Sequence, residues 1–293
     1  MPSIVNFAID QFHQGEDQQW LAHSIVDHII SEEPLEIWLK VLSAEAMPAS
    51  LLLTLMRTPG DDLNLVTGWL YTSGIIESFA SIHSINHTGQ GRLKNTTTNQ
   101  ILVTLVAGAV VDITQQQRQE YVNSACGVCG QQSIEQLLSR LERVRATSTQ
   151  VASPLSLSTV TQIAAKLFTQ QPLFQQTGGN HGVALFDTQQ NIIDVREDVG
   201  RHNALDKLIG ANAQTLLHDN TVTETAPMGV ILSGRVGFEM IQKAAMANIR
   251  YVLAFGAPSS LAIELALETD IALLGFIKNR GFNVYCNRQL LRP

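Results

Sequence analysis

Apolar strand-like runs and helical spacing exchange regularly through the second half of the chain, and this narrows the fold more than any other feature. Apolar runs at 229–232, 251–255 and 271–276 alternate with helix-like segments at 201–210, 237–248 and 259–268. A hairpin precedes them, its arms 182–186 and 192–195 flanking the turn 187–191. Strands and helices of these lengths bury each other as a mostly parallel sheet covered by helices, which predicts an α/β class. No fixed-period repeat is present, which excludes solenoids and propellers.

The first half is less regular. Leu21, Ile25, Val26, Ile29 and Ile30 fall at helical spacing over 20–30, whereas Leu35, Ile37 and Leu39 alternate with Glu36, Trp38 and Lys40 as a strand does. Thr58-Pro59-Gly60-Asp61-Asp62 reads as a helix entry: Thr58 to cap, Pro59 at the first position, two acids at the positive end, and Leu63, Val66 and Leu70 facing the core. The apolar run 101–111 predicts a buried strand, and a polar stretch then leads to Ala125-Cys126-Gly127-Val128-Cys129-Gly130 and a helix over 133–144. The Ser- and Thr-rich stretch 146–158 has the composition of a connection. The expected organisation is a smaller mixed α+β region over 1–150 carrying the cysteine loop, and an α/β cofactor-binding core over 151–293.

Of the 293 residues, 45% are hydrophobic and 15% charged, which excludes disorder and leaves ample material for a core. The 19 basic and 26 acidic residues sum to −7, so no global basic field exists to hold nucleic acid or an anionic membrane. No apolar run approaches the roughly 18 residues of a spanning helix. Residues 1–16 lack the pattern of a secretory leader and three cysteines are few and odd in number, so a cytoplasmic location is expected.

The Cys-x-x-Cys pair has four ordinary uses: half a zinc site, a redox dithiol, a cluster ligand pair, or a nucleophile carrying persulfide sulfur. An all-cysteine zinc site is excluded by counting, since Cys286 is the one other cysteine; mixed ligation through His181 or His202 stays open. Sulfur relay suits the residue types: the thiolate is the nucleophile, a following helix N-terminus lowers the thiol pKa, and Gly127 and Gly130 let the sulfur move. Two inert loop cysteines are the plain alternative. No metal site is assigned.

Several loops gather at strand ends, where open α/β sheets bind ligands. Gly178-Gly179-Asn180-His181-Gly182 precedes one strand, and Arg196-Glu197-Asp198-Val199-Gly200-Arg201-His202-Asn203 joins another to a helix. Ser233-Gly234-Arg235 is placed to cap the next helix and offer a cation, and Glu239 and Lys243 stand four apart, as an ion pair would. Phe276-Ile277-Lys278-Asn279-Arg280-Gly281 joins an aromatic face to two cations, which suits a purine and its phosphates. None matches the Walker or Rossmann glycine pattern, so a phosphorylated ligand is expected without nucleotide hydrolysis.

Taken together, the cysteine loop, Thr177 to His181, Glu197 to Lys207, Ser233-Gly234-Arg235 with Glu239-Met240 and Gln242-Lys243, Gly275 to Tyr285, Arg57 to Asp61 and Gly74 to Ser78 resemble the FdhD family over about residues 31–288. The resemblance implies a sulfurtransferase required for formate dehydrogenase activity. Such a protein takes persulfide sulfur from a cysteine desulfurase and passes it to the molybdenum cofactor, in its bis-guanine-dinucleotide form, before insertion into the formate dehydrogenase apoenzyme. It further implies a cytidine-deaminase-like three-layer core and a homodimer. Residue by residue, Cys126 matches the persulfide carrier, Cys129 its partner, and Phe276, Ile277, Lys278, Asn279, Arg280 and Gly281 the cofactor-binding segment. His181, Arg201, His202 and Arg235 are added from loop position and charge. Asn180, Gly182, Gly237, Gly256 and Cys286 depart from the family's usual residues. One rival, a zinc deaminase, needs a His-x-Glu and a Pro-Cys-x-x-Cys that the chain lacks; another is a module that only chaperones the guanylated cofactor.

Overall fold

Alternation in the segment after residue 32 does build a strand. In a computed structural model describing residues 2–43, 48–89, 99–109, 138–144, 154–217 and 226–293, Leu35, Ile37 and Leu39 point into the core from β3 (Glu33–Val41). This strand pairs antiparallel with β4 (Ser50–Arg57) and parallel with β6 (Gln100–Leu105), which β5 (Ile82–His87) flanks, in the order β4-β3-β6-β5. The strand expected at 101–111 ends at Leu105, and the chain then turns through Gly108 at φ +78°. Ahead of this sheet stands a hairpin of β1 (Ile4–Gln14) and β2 (Trp20–Ile30), paired over every residue from Ile4↔Ile30 to Gln14↔Trp20. The helix expected over 20–30 is therefore a strand. Ile25, Val26, Ile29 and Ile30 are β-branched, which crowds a helical turn and suits a pleated surface.

The helix after β4, α1 (Asp62–Thr72), begins later than Thr58 and Pro59 suggest, because Asp61 occupies the cap position in a left-handed conformation (φ 61°). The Thr58 hydroxyl instead accepts the Val199 N–H at 3.0 Å. Val66 and Leu70 are buried as expected, but Leu63 is 47% exposed, on the outer side of the helix. A helical stretch over residues 138–144, α2, follows among the described residues.

The second half holds β7 (Leu155–Ser156), α3 (Leu157–Thr169), α4 (Pro172–Thr177), β8 (His181–Asp187), β9 (Ile192–Asp198), α5 (Arg201–Ala211) and α6 (Ala213–Leu217). Then come β10 (Pro227–Leu232), α7 (Phe238–Met246), β11 (Tyr251–Ala254), α8 (Ser260–Glu268), β12 (Ala272–Lys278), β13 (Gly281–Cys286) and β14 (Leu291–Arg292). Six strands form one sheet in the order β13-β12-β11-β10-β8-β9. Only β10, β11 and β12 run parallel to one another; the β12–β13, β8–β10 and β8–β9 pairs are antiparallel, so the sheet is mixed rather than mostly parallel. The turns 188–191 and 279–280 are too short for a crossover and can only join antiparallel strands.

Helices cover both faces of this sheet. Val183, Leu185, Val230, Leu232, Val252 and Leu273 meet Leu205 and Leu208 of α5, Met240 and Ala244 of α7, and Leu265 of α8. Phe186, Ile231, Leu253 and Leu274 share the opposite core with Val160, Ile163 and Leu167 of α3. The first core does not stop at residue 150: Leu35, Ile37, Ile101 and Val103 of the N-terminal sheet and Leu65, Val66 and Leu70 of α1 belong to it. The junction is the crossing of α1 on α5. A Cβ added to Gly68 would strike the Asp206 carbonyl, and one added to Gly210 would strike that of Asn64, so the two backbones touch directly. No helix among the described residues is long and apolar enough to cross a membrane.

Candidate functional site

β9 ends in a carboxylate that the fold uses for itself. Asp198 is fully buried; Oδ2 accepts Lys207 Nζ at 2.8 Å and the Thr58 N–H at 3.1 Å, and Oδ1 accepts the Gly200 N–H at 2.8 Å and Asn203 Nδ2 at 3.0 Å. Lys207 also donates to the Thr58 carbonyl at 3.0 Å. Glu197 is equally occupied, accepting Asn180 Nδ2 and the backbone N–H groups of Leu173 and Phe174. Arg57, also fully buried, pairs with Asp62 through two bonds of 2.9 Å. The charge-rich stretches around 57–62 and 197–207 thus bond largely within the fold, and the Asp198 and Lys207 contacts with Thr58 staple the two halves together. Buried pairs of this kind are held because removing one partner strands the other.

What the staple leaves over are Arg201 and His202, at the first turn of α5. His202 Nε2 lies 3.2 Å from Glu239 Oε2 on α7. Burial, only partly opposed by Glu239 and reinforced by Lys243, Arg201 and His181, pulls the His202 pKa from 6.5 down to about 4. The ring is neutral at pH 7, so this contact is a hydrogen bond donated to a carboxylate rather than an ion pair. His181 opens β8, and its ring rests against Gly234, where an added Cβ would come within 3.2 Å of Nδ1. Its pKa is also lowered, by burial first and then by Arg201, against the pull of Asp198. Arg201 Nε is buried with no hydrogen-bond partner among the described residues, while Arg235 extends into solvent. An unsatisfied guanidinium N–H beside two neutral imidazoles is a place that favours an anionic or hydrogen-bond-accepting ligand.

The carboxyl ends of the three parallel strands are laced edge to edge. Gly256 N–H donates to the Gly234 carbonyl at 3.1 Å, and Phe276 N–H to the Gly256 carbonyl at 3.2 Å. Phe276 takes a left-handed conformation (φ 52°) beside a break in the β12–β13 register and keeps its ring 44% exposed. Non-glycine residues in this region carry strain that the surrounding structure must hold, and such positions cluster at ligand sites. Ile277 points the other way, into the core shared with α3, so only its backbone faces the strand ends. Lys278, Asn279, Arg280 and Gly281 form the exposed turn beyond. The structure therefore brings His181, Arg201, His202, Arg235 and Phe276 to one end of the sheet, with the 278–281 turn projecting past it.

Two expected contacts are replaced. Lys243 does not pair with Glu239: its Nζ sits 2.8 and 2.9 Å from the carboxylate oxygens of Asp206 and 3.0 Å from Thr72 Oγ1, leaving Glu239 for His202. Ser233 does not cap α7, whose cap is Gly237; its hydroxyl accepts the Gly182 N–H at 3.0 Å and so joins β10 to β8. Gly182 has its own reason: the Gln171 side-chain amide fills the place a Cβ would take. Cys126 and Cys129 lie outside the described residues. Cys286 is buried, its thiol donating to the Ile271 carbonyl, and burial pushes its pKa up, the wrong direction for a nucleophile. Thr58, Glu239 and Ser233 are the participants that pattern reading misassigned, since each looked complete as a local helix feature.

This architecture, with an N-terminal sheet stapled to a helix-covered mixed sheet, defines a recognisable class. Residues 30–292 match the FdhD/NarQ family, and the chain belongs to that family. Among its relatives is the sulfur carrier protein FdhD of Streptomyces coelicolor, 36% identical over 261 residues, covering 88% of this chain and 87% of that one. The sulfur carrier protein FdhD of Mycolicibacterium paratuberculosis is 38% identical over 267 residues, covering 88% and 89%. The fold is shared with a crystal structure described as a formate dehydrogenase accessory protein of Desulfotalea psychrophila, at TM-score 0.65 and 19% identity, covering 99% of this chain and 100% of that one.

Proposed function

We propose that this chain is a sulfurtransferase of the cytoplasm that accepts persulfide sulfur from a cysteine desulfurase and delivers it to the bis-guanine-dinucleotide molybdenum cofactor destined for a formate dehydrogenase apoenzyme. The observation that carries the reading is that a member of the FdhD/NarQ family retains both cysteines of the Cys126-x-x-Cys129 pair. The third cysteine argues by contrast, since burial holds its thiol protonated. Cys126 as thiolate attacks the terminal sulfur of the donor persulfide; that S–S bond breaks and the desulfurase cysteine leaves as thiolate, with no net oxidation. For release, Cys129 attacks Cys126 Sγ, freeing the outer sulfur as hydrosulfide and leaving a disulfide that a thiol reductant reopens. The cofactor is the substrate that receives the sulfur. Its phosphates and guanines are matched by the unsatisfied Arg201 Nε, exposed Arg235, Lys278 and Arg280, and the ring of Phe276, with Ile277, Asn279 and Gly281 completing the segment by their backbone. We read the helix-covered sheet as cytidine-deaminase-like and the working form as a homodimer.

The test is intact mass of the wild type and of Cys126→Ala after incubation with a cysteine desulfurase and free cysteine, before and after mild reduction. The expected outcome is a reductant-sensitive gain of sulfur mass in the wild type that the variant loses. No gain in the wild type refutes the carrier role and leaves a protein that only holds the guanylated cofactor.

A further inference from the structure

The β1–β2 hairpin is built unlike the rest of the molecule. The body holds its base: Ser31 N–H donates to the Ser3 carbonyl, Ser3 Oγ donates to the Pro59 carbonyl at 2.8 Å, and Ile30 packs against Gly179. Beyond that base, residues 10–14 and 20–26 are all exposed, over strands of eleven residues. Eleven residues of antiparallel strand reach about 35 Å. A lone two-stranded hairpin is marginally stable in water, so one this long needs a surface to cover it.

Its side chains describe that surface. Of the eighteen exposed large hydrophobics among the described residues, seven are here: Phe7, Phe12, Trp20, Leu21, Ile25, Val26 and Ile29. The pairing register places Phe12, Trp20 and Val26 on one face and Phe7, Leu21, Ile25 and Ile29 on the other. With both faces apolar, contact on a single side would leave half of them wet. Weighting roughly 150–250 Å² per large side chain by these exposures yields about 700 Å², close to the ~800 Å² each partner contributes to a standard interface. Residues 2–32 contain no lysine or arginine, so an anionic lipid or nucleic acid is the wrong partner. The strands also lack the lysines that usually blunt open edges. The chain itself offers a seat: β4 ends the N-terminal sheet and exposes Leu51 at 42% and Met56 at 48%.

We propose that the hairpin is a dimerisation arm, lying along β4 of a second copy of this chain while its other face meets the second copy's hairpin. A two-fold arrangement covers both faces and both seats with one contact used twice. The assignment rests on the homodimer reading above and names the surface that makes the dimer. The test is sedimentation equilibrium of the full chain as wild type, as the triple variant Phe12→Ser/Trp20→Ser/Val26→Ser, and as Leu51→Glu. All four side chains are exposed, so an unchanged circular dichroism spectrum and thermal midpoint serve as folding controls. The wild type is expected to be a dimer, with the triple variant and Leu51→Glu each weakening association at least about 100-fold. A monomeric wild type overturns the homodimer reading and the arm together. A dimeric wild type whose triple variant associates equally well overturns the arm alone, and an unaffected Leu51→Glu overturns β4 as its seat.

Discussion

Removing Asp206 strands a cation in the middle of the molecule. Asp206 on α5 is 1% exposed and takes two bonds from Lys243 of α7, itself 8% exposed, and one of 2.8 Å from Thr72 of α1. One carboxylate therefore ties three helices. Asp206→Ala leaves the ammonium with the Thr72 hydroxyl alone, and an uncompensated buried charge costs about 3–5 kcal/mol. At about 2 °C per kcal/mol for a chain of this size, the melting midpoint should fall by about 6–10 °C. Lys243→Met should cost less, about 1–3 kcal/mol, because burial already raises the Asp206 pKa and the carboxyl can take up a proton. The sign of its pH dependence follows. The folded variant binds that proton while the unfolded chain, with its carboxyl near 3.8, does not, so the deficit should shrink as pH falls from 7 toward 4. The apolar pair Asp206→Leu/Lys243→Met should lie within about 1 kcal/mol of the wild type. Urea titrations of the four proteins measure the cycle. A double variant as damaged as the sum of the singles would refute the argument, since the loss would then come from packing and not from a stranded charge.

His202 predicts a second pH effect of opposite sense. Its folded pKa of about 4 lies below the ordinary 6.5, so the unfolded chain binds the proton first, and stability present above pH 6.5 is lost as pH falls toward 4. With the side chain 34% exposed, solvent screening reduces this to about 1 kcal/mol, and His202→Gln should flatten that part of the stability-against-pH curve. At the α1–α5 crossing, Gly210→Ala should lower stability by about 2 kcal/mol in thermal denaturation, because the clash with the Asn64 backbone outweighs the better helix propensity. Gly281→Ala, where an added Cβ meets nothing and no helix is capped, is the neutral control, and equal loss in both would refute close approach as the reason for Gly210.

Much of the candidate site was legible because its loops sit at strand ends. Placing 201–210, 229–232, 251–255 and 271–276 as alternating elements was enough to bring Arg201, Arg235 and Phe276 to one end of a sheet, as the structure does. Roles within those loops were not legible. Asp198 and Asn203 looked like ligand contacts beside Arg201 and His202, yet Asp198 accepts the Thr58 N–H and Asn203 donates to the Met56 carbonyl, each about 140 positions away in the chain. A charge meeting a buried partner and a charge meeting a ligand have the same one-dimensional appearance.

Local pattern alone decided this protein's α/β character, most of its C-terminal element boundaries and its membership of a family with an intact Cys-x-x-Cys pair, because periodicity and ordered motifs are written along the chain. Tertiary structure decided the rest. It made a strand of 20–30 by supplying β1 as a partner, and it made the expected mostly parallel sheet a mixed one, by adding β13 antiparallel to β12 through a turn too short to cross over and by setting β8 antiparallel to β10. It also chose Asp206 over Glu239 for Lys243, because α5 packs against α7 and the nearest carboxylate in space lies 37 positions from the lysine rather than four.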